Sequence, residues 1–94
     1  MHYPLIIRRI VGQSMFPALS PNRLILASGF FRRINKGDVV VFEHQGLDKI
    51  KRVTALRGSQ LYVLGDNTTA SSDSRIFGWI EATDVKAKVI WPRV

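Results

Sequence analysis

A mainly β, antiparallel fold is what this sequence predicts, on three observations. Its apolar runs are short and rich in β-branched residues. Glycines recur at spacings of 7 to 17 residues, and no segment sustains a helical period. Ninety-four residues suit one domain and are too few for two. Residues 1–94 are therefore expected to form a single small domain of one or two coiled antiparallel sheets.

Each element has its own signal. Leu24-Ile25-Leu26-Ala27 is a short apolar run that reads as a strand. Val39-Val40-Val41-Phe42 is a second, entered through the turn Lys36-Gly37-Asp38. Residues 49–56 and 60–64 flank Arg57-Gly58-Ser59 and read as a hairpin. A single helical turn fits residues 81–84. Residues 86–91 then alternate basic and apolar side chains until Pro92 ends the run.

Composition narrows the function classes. Apolar residues are 46% and charged residues 22% of the chain, as in ordinary folded proteins. No apolar run approaches the roughly 20 residues that span a bilayer. The run Pro4-Leu5-Ile6-Ile7, cut off by Arg8-Arg9, is also shorter than the about 7–15 apolar residues of a signal peptide. The expected location is accordingly cytoplasmic, or peripheral at a membrane surface. With no cysteine, disulfides and thiolate metal sites are excluded.

The net charge of +7 is unevenly spread: Arg8, Arg9, Arg23, Arg32, Arg33 and Lys36 all precede the first carboxylate, Asp38. Such a half could meet nucleic acid, an anionic membrane or an acidic partner, or be a solvated surface.

Three segments could carry chemistry. Ser14 lies in Gly12-Gln13-Ser14-Met15-Phe16-Pro17, where Gly12 permits close backbone approach and Pro17 fixes the exit. Taken alone, a serine in such a turn is more commonly a capping residue than a nucleophile. Lys51 shares a strand face with Val53 and Ala55, surroundings that strip its hydration and favour the neutral amine. The alternative is a lysine whose stem covers the core while its head reaches water. Arg52 falls on the opposite face as a surface charge.

The third segment runs from Gly65-Asp66-Asn67 through Ser71-Ser72-Asp73-Ser74-Arg75 to Gly78. Its side chains can bond to backbone or pair with each other, holding a serine hydroxyl against Lys51 or simply capping a surface loop. Asp66 and Asp73 fall short of a calcium cage, and no metal or cofactor is expected. His2 near the terminus and His44 in a polar turn anchor no triad.

In this order the segments resemble the type I signal peptidase family of serine proteases. Ser14-Met15-Phe16-Pro17-Ala18-Leu19 is similar to its nucleophile box S-M-x-P-T-L. Lys36-Gly37-Asp38-Val39-Val40-Val41-Phe42 is similar to its R-G-D-I-V-V-F strand, and Lys51-Arg52-Val53 to its K-R-V box. Residues 65–78 are similar to G-D-N-x-x-x-S-x-D-S-R-x-F-G, with one residue of slack. The likeness covers residues 11–91.

It implies a signal-peptidase/LexA-like catalytic core with Ser14 as nucleophile and Lys51 as general base. By the same likeness Ser71 orients the lysine, and Asp73 with Arg75 forms a structural ion pair. Gly12 stands where some members carry a serine whose hydroxyl is a second oxyanion donor. Of the family's G-L-P-G-D, Ala55-Leu56-Arg57-Gly58-Ser59 keeps only the hairpin glycine. Typical members also carry a membrane anchor and a large second β region. In its compactness the chain is similar to the small proteases that trim the leader of nickel-type superoxide dismutase.

The implied activity is endoproteolysis of a precursor protein, removing an N-terminal leader laid as an added strand on a sheet edge. Peripheral contact with an anionic membrane would rest on an exposed Met15-Phe16 edge and the basic half. Nucleic acid is not an expected partner. The rival readings are a leader-binding module that does not cut, and a non-enzymatic basic β module.

Overall fold

The computed structural model describes residues 4–94; His2 lies outside them. Seven strands form one antiparallel sheet: β1 (Leu5–Arg9), β2 (Leu24–Ser28), β3 (Val39–His44), β4 (Leu47–Arg57), β5 (Gln60–Leu64), β6 (Ile80–Glu81) and β7 (Val85–Trp91). Their order across the sheet is β1-β2-β7-β3-β4-β5-β6. A one-turn helix, α1 (Ser74–Phe77), and two 3-10 turns, Thr68–Ala70 and Ala82–Asp84, complete the elements. The expected β class is thus the observed one, as a single sheet.

β3 explains how one sheet makes a core. Its four apolar residues are all buried, and they alternate between two clusters. Val39 and Val41 join Ile6, Met15, Leu19 and Ile25 on one face. Val40 and Phe42 join Val53, Leu61, Val63 and Val85 on the other. A continuous apolar run, unlike an alternating one, marks a strand covered on both sides. The neighbours alternate instead: in β4 Lys51 and Val53 are buried between half-buried residues, and Lys51 lies opposite Val40 in register.

Two strands carry too little signal to be read in advance. In β1 only Ile6 turns inward, while Leu5 and Ile7 are exposed, so its apolar run shows no alternation. β6 is two residues long and pairs with Gln60 and Leu61. Met15 corrects an expectation: it is fully buried in the first cluster, and only Phe16 of the pair is exposed.

Candidate active site

Residues 8–11 and 48–51 face each other across a groove of about 250 Å³, with Ser14, Met15 and Ser72 also in its lining. Both walls offer unpaired backbone. Among the described residues β1 pairs on one side only, with β2. β4 meets β5 only from Arg52 onward, so residues 47–51 lack a partner on that side among the described residues. At one end, Arg8 reaches across to Asp48 at 3.3 Å, and Lys86 holds the same carboxylate at 2.7 Å.

At the groove floor, Lys51 Nζ lies 2.7 Å from Ser14 Oγ. Lys51 is only 6% exposed, so its side chain is largely shielded from bulk water although it borders the groove. Burial lowers its pKa from the ordinary lysine value. The Asp73 carboxylate opposes that shift and the Lys49 ammonium adds to it. As an ammonium the lysine donates to Ser14; as a neutral amine at the same separation it can accept the serine proton.

The Ser14 segment is tied to the polar loop by a bond from Asn67 N–H to the Ser14 carbonyl, 2.8 Å. Gly65 makes that approach possible. A Cβ there would stand 2.6 Å from the Ser14 carbonyl oxygen and collide with the Ser71 side chain. No hydrogen bond among the described residues takes up the Ser14 backbone N–H, which stays available to a ligand.

Asp73 organises the loop. It is fully buried and caps α1 by accepting from Arg75 N–H at 3.2 Å. It also accepts from Gly65 N–H at 2.9 Å, Ser71 Oγ at 2.8 Å, and Arg75 Nε and Nη2 at 2.9 and 3.0 Å. Burial by itself would raise its pKa. The bonds from Arg75, Gly65 and Ser71 outweigh that and hold the carboxyl far below the usual range.

The structure therefore brings Ser14 to Lys51 and Asp73 to Arg75. Ser71 makes no hydrogen bond to Lys51; its hydroxyl donates to Asp73, the carboxylate that acts on the lysine.

Arg52 corrects a second expectation, since it is no mere surface charge. It grips Asp66 with two bonds of 2.9 Å and donates to the carbonyls of Gly37 and Val94 at 2.8 and 3.2 Å. A planar guanidinium suits this fork, and the grip fixes the start of the polar loop. Its partner is 14 residues away, so strand alternation could show its face but not its function.

A family model described as signal peptidase, peptidase S26, matches residues 3–61 and 59–93. No curated protein matches the chain significantly.

Proposed function

Because this chain belongs to the signal peptidase family, peptidase S26, we propose that it is a serine endopeptidase that removes an N-terminal leader from a precursor protein. Ser14 is the nucleophile and Lys51 the general base. One observation carries the assignment: a buried lysine amine 2.7 Å from a serine hydroxyl on the floor of a groove. Residues 1–94 serve as one catalytic domain in this reading.

The leader lies extended between the unpaired edges of β1 and β4, where backbone bonds hold any sequence and side-chain space selects among them. Neutral Lys51 takes the Ser14 proton as Oγ attacks the scissile carbonyl. The Ser14 backbone N–H donates to the developing oxyanion. The Lys51 ammonium then protonates the leaving amine, and a water deprotonated by Lys51 hydrolyses the acyl-enzyme. Asp73, fixed by Arg75 and Ser71, holds the polar loop against this pair.

Cleavage of a panel of leader-bearing precursors, read by mass spectrometry, tests the reading. Wild type is expected to make one cut that Ser14→Ala does not. Binding without cutting in both would establish a leader-binding module instead.

We also propose that the protein rests on an anionic bilayer, through the basic half as expected but with an apolar row in place of the Met15-Phe16 edge. Ile7 lies opposite Leu26, and Leu26 opposite Trp91, forming an apolar row across three strands. Ile7 is 66% and Trp91 54% exposed, and Arg23 lies 5.1 Å over the Trp91 ring. No carboxylate occurs before Asp38; Arg9, two residues from Ile7 on β1, and Arg23, just before β2, bring only positive charge to this row. Apolar side chains ringed by cations match an anionic lipid surface. Co-sedimentation with phosphatidylglycerol vesicles is expected, with loss of about tenfold in affinity for Trp91→Glu. Equal binding of wild type and variant, or equal binding to neutral phosphatidylcholine vesicles, would refute it.

A further inference from the structure

Lys49 stands two residues before Lys51 on β4, so both side chains leave the strand on one face. Both also line the groove. A free lysine this close would swing its charge into water, where screening makes it ineffective. Lys49 is not free. Its ammonium sits 3.2 Å from Nδ1 of His44, the last residue of β3, and 4.9 Å from the centroid of the Phe77 ring. His44 stacks on that same ring with centroids 4.1 Å apart. Phe77 closes α1, the helix that Asp73 caps.

A lysine ammonium can only donate, so the His44 nitrogen facing it accepts, which places the imidazole proton on Nε2.

We propose that Lys49 is a positioning residue for the Ser14–Lys51 pair: a cation fixed by His44 and Phe77 that discourages a second cation at Lys51. The proposal rests on the dyad reading above. Other charges at this end of the groove are already committed to partners. Arg8 and Lys86 hold Asp48, and Arg9 donates to the Asn22 carbonyl at 2.9 Å. That leaves two charges acting on Lys51 in opposition. Asp73 favours its protonated form and Lys49 disfavours it. The base is therefore set by the balance of an anchored anion and an anchored cation, in a site already poorly hydrated.

The test follows the Lys51 13Cε resonance with pH by NMR, assigned by its absence in Lys51→Met, in wild type, Lys49→Met and Lys49→Arg. Methionine keeps a flexible stem on Phe77 and removes the charge together with the bond to His44, which Lys49→Arg restores. The Lys51 midpoint is expected to move to higher pH by about half to one unit in Lys49→Met, and to return in Lys49→Arg. The rising limb of precursor cleavage should move with it, so the rate below the midpoint falls about 3–10-fold. An unmoved midpoint in a folded Lys49→Met protein would overturn the proposal and reduce Lys49 to packing. A moved midpoint in a protein that cuts no precursor would sustain the charge effect and refute the protease reading.

Discussion

Lys51→Met is expected to abolish cleavage, by about 10⁴-fold or more, while the protein remains folded. The side chain is buried, and among the described residues its amine makes one hydrogen bond, to Ser14 Oγ. Methionine fills nearly the same space without a charge that must be desolvated. Replacing a buried charge with a well-packed apolar group is often neutral or stabilising, so stability should hold or rise.

The pH dependence carries the same logic. Only the neutral amine accepts a proton, so wild-type activity should climb with pH through a midpoint below the ordinary 10.5. The lowered pKa also means that the unfolded chain binds more protons than the native one between that midpoint and 10.5. Wild-type stability therefore gains with rising pH in that window, and Lys51→Met should lose this gain. Turnover by Lys51→Met within tenfold of wild type, measured beside its thermal melt, would remove Lys51 from the chemistry.

Asp73→Asn is expected to be the most damaging change to the fold near the site. The carboxylate accepts five bonds from three residues while fully buried. Arg75 stands largely in water, so the Coulomb energy of the pair is screened and modest. The larger cost comes from donors left facing an amide that can accept at one atom only. Gly65 N–H and Ser71 Oγ meet one carboxylate oxygen, and Arg75 N–H and Nε meet the other, so wherever the amide nitrogen falls it faces two of these donors. At about 1–3 kcal/mol for each donor left unsatisfied, the loss amounts to about 2–6 kcal/mol.

The wild-type contribution has a definite pH sign. A depressed carboxylate pKa stabilises fully above the unfolded value of 3.8, and the effect is lost as pH falls below it. Urea unfolding at pH 7 and pH 3 should thus show a large difference between wild type and Asp73→Asn at the higher pH and a smaller one at the lower. Equal differences at both would mean that ionised Asp73 does not hold the loop. If the variant folds, loss of this anion should also move the Lys51 midpoint down, opposite to the shift from Lys49→Met.

Much of the fold was legible because it depends on local alternation. The strands at 24–27, 39–42, 60–64 and 86–91 lie where side-chain periodicity and turn residues put them, within a residue or two. The hairpin at Gly58 has the same origin. β1 was not legible, since a strand that buries one residue leaves no pattern to read. α1 was hidden too, because four residues show no helical period and its one buried residue, Ser74, takes its bond from Val63 N–H on a strand 11 residues away.

The sequence by itself determined the β class, the basic carboxylate-free half, and the ordered boxes around Ser14, Lys51 and residues 65–78. These are properties of neighbours along the chain, whose spacing is set by covalent geometry. Only the tertiary structure decided what those boxes touch. The two unpaired edges of the groove, the separation of Lys51 from Ser14, the grip of Arg52 on Asp66 and the anchoring of Lys49 by His44 and Phe77 all follow from sheet order. It also put Met15 in the core and left Ile7 and Trp91 outside. Which side of a short segment is buried depends on what packs against it, and that partner lies far away in the chain.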